Sequence, residues 1–392
     1  MMIDRRDFLR KCLWAGALGA AAAPCPLSAG LLDYFTGETS VKTVKKNSAP
    51  EKLWKWSVEA RHYTPVQGKR VICRLCPNRC LIPSNGRSRC DVRVNKDGKL
   101  YSLVYGNPSA IHIDPVEKKP LYHFHPSSSV FSMGTAGCNF NCLNCQNWEL
   151  SQKRPEELNT HSLFPSEAAA AAKRKECASI AYTYNEPTVA YEFMMDTAKR
   201  AKKAGLNNIY ISNGFISPKP LTALAEVLDA ANIDLKAFSE KTYRTLNSGQ
   251  LQPVLEALTL LRKKGVWVEI TCLLVPNYTD DIREIRKMCV WVRKNLGPDV
   301  PLHFSRFHPQ YKLKNLPSTP PSLLLKAREI AMREKLNYVY IGNLRTREGS
   351  NTYCPGCGKA VVKRIGYRGV SFDIEKGKCR FCGTLIAGYW GK

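Results

Sequence analysis

The chain has little negative charge. Its 392 residues carry 33 Asp and Glu against 59 Lys and Arg, a formal net charge of +26. Such an excess suits an anionic membrane surface, nucleic acid or an acidic protein partner. No nucleic-acid recognition motif accompanies it, which makes nucleic acid the weakest of the three. A long hydrophobic run is also missing: the Ala-rich stretch at residues 13–23 is too short for a spanning helix. No Gly-x-Gly-x-x-Gly follows the first predicted strand of the α/β region, which argues against a dinucleotide fold.

What is present is cysteine. The chain has 16, most of them in close clusters. A secreted disulfide scaffold is normally far shorter. Cys-x2-Cys pairs turn both thiolates toward one ion, so the clusters read as metal or iron–sulfur sites. Apolar residues make up 44%, enough for a real core.

Strand and helix patterns give five segments. Residues 1–30 hold Arg5-Arg6, then Phe8-Leu9, then the Ala-rich run, an order that resembles a twin-arginine export signal. Ala21 and Ala23 fit a small-x-small cleavage rule, but Pro24 and Pro26 obscure the cut. The expected location is the membrane or the periplasm, and the cytoplasm if the signal is unused. Residues 31–65 read as a basic linker and 66–125 as an N-terminal four-cysteine module. Over 126–348, buried strands such as SVFSMGT, SIAYTY, NIYISN and NIDLKA alternate with helical stretches such as PVLEALTLLRKKG. Six or seven such repeats predict a parallel α/β sheet, open or closed into a barrel. Residues 349–392 carry four more cysteines.

The loop after the first predicted strand is GTAGCNFNCLNCQNW, with Cys138, Cys142 and Cys145. Gly134, Ala136 and Gly137 let backbone wrap closely round a bulky group. A [4Fe–4S] cluster normally takes four cysteines, so three leave one iron open. An open position is where a substrate or cofactor binds. The Cys-x3-Cys-x2-Cys spacing in this place resembles the radical S-adenosylmethionine (SAM) superfamily. The resemblance implies a partial (β/α) TIM barrel. It also implies a cluster whose unique iron is chelated by the SAM amino and carboxylate groups, a low-potential electron donor, and a 5′-deoxyadenosyl radical that abstracts hydrogen. The family usually has an aromatic residue before the third cysteine. Here it is Asn144, with Phe140 or Trp148 as alternative apolar surface near the adenine.

The same resemblance places SAM contacts at later strand ends. YTYNEPT is similar to the family's Gly-Gly-Glu element, which implies a SAM amino contact at Glu186 with Asn185 beside it. Ser212 or Asn213 in ISNG would face the SAM carboxylate. Asp234 and Lys236 in IDLKA resemble the Asp-x-Lys element of glycyl-radical activating enzymes. Lying two apart on a strand they share a face; the alternative is a buried structural ion pair. In HFSRFHP, Arg306 and His308 would face substrate or cofactor; His303 and His308 are otherwise ordinary loop histidines.

More narrowly, DPVEKKPLYHFHP, GCNFNCLNCQNWELSQ and YTYNEPT resemble the radical SAM member of the AmmeMemoRadiSam system, related to pyruvate formate-lyase activating enzymes. That implies Memo-like and AMMECR1-like partner proteins and names no substrate. Residues 146–176 hold no cysteine, so the ferredoxin-like insert of many activases is absent.

The flanking cysteines read separately. Cys73, Cys76, Cys80 and Cys90 fit zinc, the favoured reading, and a second iron–sulfur cluster almost as well. Cys354, Cys357, Cys379 and Cys382 form two Cys-x2-Cys knuckles, a zinc-ribbon pattern. Its surroundings are basic, with eight Lys/Arg against two Asp/Glu over residues 354–392. Cys12, Cys25, Cys177, Cys272 and Cys289 are left as signal-segment or core residues. Three functions follow: a radical SAM enzyme of open substrate, an activase for a glycyl-radical partner, and a basic zinc-ribbon binding protein without catalysis.

Overall fold

Buried parallel strands need apolar side chains on both faces, and this chain supplies seven such segments in succession. The computed structural model describes residues 48–391. The signal segment, Cys12, Cys25 and the first part of the expected linker lie outside the described residues.

Residues 58–102 form six short strands: β1 (Val58–Glu59), β2 (Tyr63–Val66), β3 (Arg70–Cys73), β4 (Leu81–Ile82), β5 (Arg93–Lys96) and β6 (Lys99–Ser102). They make two antiparallel sheets, ordered β1-β6-β5 and β2-β3-β4. This corrects the linker expected over 31–65. In its described part β1 and β2 pair into these sheets, and Trp54 Nε1 donates to Leu103 O at 3.1 Å. Strands of two and four residues are too short to show a period in the sequence.

The central sheet has eight strands. β7 (Ala110–Pro115) runs antiparallel to β8 (Ser129–Gly134). Then β9 (Ser179–Tyr182), β10 (Asn207–Ser212), β11 (Ala230–Asp234), β12 (Trp267–Leu274), β13 (Leu302–Arg306) and β14 (Val339–Gly342) continue in parallel. The order β14-β13-β12-β11-β10-β9-β8-β7 places each strand beside its predecessor. That winding is a barrel's, without the reversal of a doubly wound sheet. All four residues of β9 are buried. β7 was not foreseen, and residues 110–115 belong to this sheet rather than to the N-terminal module.

Six long helices cross over between the strands: α1 (Pro165–Arg174), α2 (Tyr191–Lys203), α3 (Pro218–Ala225), α4 (Gln252–Lys263), α5 (Ile282–Leu296) and α6 (Pro321–Arg333). Their ends carry ordinary stop and start chemistry. Proline stands in the first turn of α1, α3, α4 and α6, where a missing N–H costs nothing. Asp281 caps α5 by accepting from Arg283 N at 2.8 Å. Among the described residues no helix is long and apolar enough to cross a membrane.

The C-terminal residues form the strand set Thr352–Tyr353, Ala360–Ile365 and Arg368–Phe372, with a small second ribbon. A buried polar network fixes this module to the lower part of the sheet. Arg364, 3% exposed, donates to Thr352 Oγ1 and to Tyr122 O, both at 2.8 Å. Glu269, fully buried, accepts from the backbone N–H of Tyr122 and His123 and pairs with His303 at 2.7 Å. His303 is thereby placed in this network, in the sheet interior. The described residues form one compact unit.

Candidate active site

At the C-terminal ends of β8 to β11 four loops converge. The first carries Cys138, Cys142 and Cys145. Its entry is possible only because Gly137 has φ +85 and no side chain; a Cβ there would lie 2.4 Å from Cys90 O.

Three supports hold the loop in place. A π-helical turn at residues 243–247 clamps it from one side: Asn141 N donates to Asn247 O at 3.1 Å and Leu143 N to Leu246 O at 2.9 Å. Lys312 N donates to Leu143 O at 3.1 Å from another. Asn185 holds the loop's base, its Nδ2 donating to Gly137 O at 2.8 Å and Ala136 O at 3.1 Å. The structure thus places Asn185, expected at the cofactor, in bonds to the cysteine loop itself.

The sulfurs have defined neighbours. Asn247 Nδ2 donates to Cys142 Sγ at 3.3 Å, Phe140 N to Cys138 Sγ at 3.4 Å, and Ser151 Oγ lies 3.4 Å from Cys145 Sγ. Burial pushes the Cys138 thiol far up, and the nearby Glu186 and Cys142 charges push it further. Burial also raises Cys142, against the opposing pull of Lys236. Buried thiols of this kind become thiolates when a cation replaces their protons. Three converging cysteines with N–H donors on the sulfurs fit a thiolate-bound cluster.

Glu186, 2% exposed, organises the next two strand ends. Its Oε1 accepts from Thr188 N at 2.9 Å and Ser212 Oγ at 2.8 Å, and its Oε2 from Asn213 N at 2.8 Å. Burial raises its pKa despite these bonds. Asn213 then turns its side chain to the cysteine loop, donating to Asn139 Oδ1 at 2.8 Å with Cys138 Sγ at 3.9 Å. Glu186, Ser212, Asn213 and Cys138 are therefore one connected group.

At the end of β11, Lys236 Nζ meets Asp234 Oδ2 at 2.8 Å, with side chains 23% and 38% exposed. Burial alone would lower the lysine's pKa, but Asp234 and Cys142 outweigh it and raise it. The pair is half-buried beside Cys142, between a solvated face and a closed core. Arg306 Nε is spent on Thr319 O at 2.8 Å. His308 is exposed, with Ser318 Oγ at 3.3 Å, and makes no hydrogen bond to the cysteine loop.

Phe140 packs into the core against Phe215, ring centroids 4.9 Å apart. Trp148 stacks on Tyr311 at 5.3 Å. Asn144 is 8% exposed and its Oδ1 has no protein partner. Asn139, Asn247 and Tyr311 were missed from the sequence. Each is a single polar or aromatic residue with no motif around it.

At the far end of the chain the sulfurs of Cys354, Cys357, Cys379 and Cys382 all lie within 4.8 Å of one another. Cys354 and Cys382 are 3.5 Å apart, and Cys357 and Cys379 3.8 Å.

The family model described as the radical SAM superfamily matches residues 133–289. An uncharacterized protein of Methanocaldococcus jannaschii is 45% identical over 330 residues, 84% of this chain and 98% of that protein. The pyruvate formate-lyase 1-activating enzyme of Escherichia coli K12 is 26% identical over 157 residues, 37% of this chain and 61% of that enzyme. Among solved structures, a radical SAM methyltransferase from Sphaerobacter thermophilus aligns with 77% of this chain and 80% of its own, at 13% identity and a TM-score of 0.44.

Proposed function

This chain belongs to the radical SAM superfamily, and on that premise we propose that it is an enzyme that cleaves SAM reductively and uses the resulting radical to take a hydrogen atom from a substrate. The observation that carries the reading is the connected group Glu186–Asn213–Asn139 beside Cys138. Cys138, Cys142 and Cys145 would hold a [4Fe–4S] cluster, leaving one iron for SAM. With cluster and SAM bound, the chemistry supplied is one-electron cleavage of the sulfonium C–S bond, giving methionine and a 5′-deoxyadenosyl radical. The electron comes from a low-potential donor protein.

The chain's own work is to bind, orient and shield. Each carboxylate oxygen accepts about two bonds. Glu186 Oε2 receives one, from Asn213 N, and keeps capacity for the SAM amino group. Ser212 and Asn213, held by Glu186, would stand on the side of the SAM carboxylate. The unpartnered Asn144 Oδ1 is an acceptor suited to the adenine amino group, in the position where the family carries a ring. Asp234 and Lys236 stand at the mouth beside Cys142 and act on SAM or substrate. His308 belongs to the outer rim.

At the C-terminal module the ion is zinc. Tetrahedral zinc with sulfur at about 2.3 Å sets sulfurs about 3.8 Å apart, which the separations of 3.5 and 3.8 Å match. Memo-like and AMMECR1-like proteins are the proposed partners, on the strength of the three sequence motifs. The proposed location is the membrane surface or the periplasm, on the strength of Arg5-Arg6 and the apolar run after them.

A second reading is activation of a glycyl-radical partner, favoured by the similarity to the E. coli activating enzyme. The two differ in product, a glycyl radical on a protein against a changed small or macromolecular substrate. The first test is common to both. Protein reconstituted without oxygen and reduced should release 5′-deoxyadenosine and methionine from SAM. A loaded, reduced protein that leaves SAM intact rejects both readings.

A further inference from the structure

Cys73, Cys76, Cys80 and Cys90 surround one cavity, together with Arg93, Ser88, Asn78 and Asn139. Their sulfurs are not spaced for a single ion. Among the described residues, the C-terminal four are the one group of three or more ligand side chains whose ligating atoms all lie within 4.8 Å. No three of the N-terminal four meet that spacing, and neither do Cys138, Cys142 and Cys145. Zinc thiolates sit about 3.8 Å apart. Thiolates on a [4Fe–4S] cluster sit about 6 Å apart, because each binds a different iron. The N-terminal four therefore resemble the three-cysteine loop, and differ from the C-terminal four, in lacking the close spacing of a single-ion site.

A second observation points to a bound group. Arg93 is 1% exposed and lines the cavity. Its NH1 and NH2 are spent on Glu192 and Val189 O, while its Nε has no partner in the protein. A buried N–H without an acceptor is destabilising; a thiolate or sulfide in the cavity would supply the acceptor. Ser88 Oγ, 3.1 Å from Cys90 Sγ, can donate to a ligating sulfur as well.

We propose that Cys73, Cys76, Cys80 and Cys90 hold an iron–sulfur cluster, against the zinc expected from the sequence, and that it lies directly behind the three-cysteine loop. The two sites touch. Asn78 Nδ2 donates to Asn139 O at 2.8 Å, and Asn139 is the neighbour of Cys138 in the chain. Gly137 packs on Cys90 O, and Ser217 N donates to Leu75 O at 2.9 Å. Thr188 and Val189, which follow Glu186, line the same cavity.

The proposal is independent of SAM chemistry and is tested by counting metal. The full chain is reconstituted without oxygen, and iron, sulfide and zinc are measured per chain. About eight irons and about one zinc are expected. A wild-type chain with about four irons and two zincs overturns the proposal. In a Cys138→Ala, Cys142→Ala, Cys145→Ala variant, about four irons should remain and give, after dithionite reduction, an electron paramagnetic resonance signal that SAM leaves unchanged. A triple variant without iron overturns it. Conversely, Cys76→Ser with Cys80→Ser should halve the iron and keep the SAM-responsive signal, with far-ultraviolet circular dichroism confirming the fold; a count that does not drop overturns it. Failure of the radical SAM reading would instead show as a wild-type signal that never responds to SAM.

Discussion

Arg93 Nη2 and Glu192 Oε2 meet at 2.6 Å with both side chains 1% exposed. The pair joins β5 of the N-terminal module to α2 of the barrel. Glu192 Oε1 also accepts from Arg61 N at 2.9 Å. One carboxylate thus ties two points of the module to the barrel, behind the loops that carry Cys138 and Glu186.

Breaking a buried pair from one side leaves the other charge without compensation, at about 3–5 kcal/mol. Glu192→Ala should lower the denaturant midpoint by an amount of that order. Glu192→Gln, which keeps an acceptor for Arg61 N, should cost less. Equal midpoints for wild type and Glu192→Ala would show that the pair does not join the two parts.

Cys142→Ala should abolish 5′-deoxyadenosine formation and leave the C-terminal metal in place, because the two cysteine sets lie in separate parts of the fold. The measurement is SAM turnover beside zinc content of the same sample. Full turnover in the variant would move the cluster elsewhere.

Glu186→Ala removes the acceptor of Ser212 Oγ and Asn213 N together with a lone pair for SAM. A charge-assisted hydrogen bond is worth about 1.5–3 kcal/mol, so SAM affinity should fall about tenfold or more. Asp234→Ala should weaken binding less, since that carboxylate is 38% exposed and partly screened by water. Calorimetry on the reconstituted protein orders the two. The assignment fails for Glu186 if its variant binds SAM as tightly as wild type.

The parallel strands were legible because a strand buried on both faces is written as a short, largely apolar run, as in SIAYTY, whose strand is buried throughout. β7 was not: AIHIDP carries a charged Asp114 and leaves His112 and Ile113 exposed on an edge strand, and so reads as loop. The three cysteines were legible from spacing and place. Their supports were not, because the contacts are far apart in sequence. Asn213 reaches Asn139 across 74 positions, Asn247 reaches Cys142 across 105, and Arg93 reaches Glu192 across 99. A single asparagine or arginine leaves no periodic trace. Spacing of the N-terminal cysteines along the chain gave the ligand set but not the distance between sulfurs, which depends on how β3 and the turns after it and before β5 face each other.

Arg5-Arg6 and the apolar run after them set a prediction on location. Intact chain expressed in cells should fractionate with the membrane or the periplasm, and an Arg5→Lys, Arg6→Lys variant should shift toward the cytoplasm. The +26 charge adds attraction to anionic lipid, about 1 kcal/mol for each basic residue at the surface. Both forms wholly soluble in the cytoplasm with residues 1–30 attached would exclude the export reading.

His123 sets the acid side of the stability curve. Its ring is fully buried, with Nδ1 donating to Ala387 O at 2.6 Å and Nε2 accepting from the Tyr340 hydroxyl. Burial pushes its pKa down to about 4, and Glu269 opposes only part of that. The unfolded chain, with His near 6.5, binds the proton more readily than the folded one, so stability rises with pH between about 4 and 6.5 and is lost on acidification. One such group contributes a slope of at most about 1.4 kcal/mol per pH unit. Protonation adds a proton at Nε2, so the ring keeps its Nδ1 bond to Ala387 O but can no longer accept from the Tyr340 hydroxyl. His123→Gln keeps a donor and an acceptor but does not titrate. Its unfolding free energy should vary less steeply with pH over that window than the wild type's, at a modest cost at neutral pH. Identical slopes for the two proteins would assign the acid sensitivity to other groups.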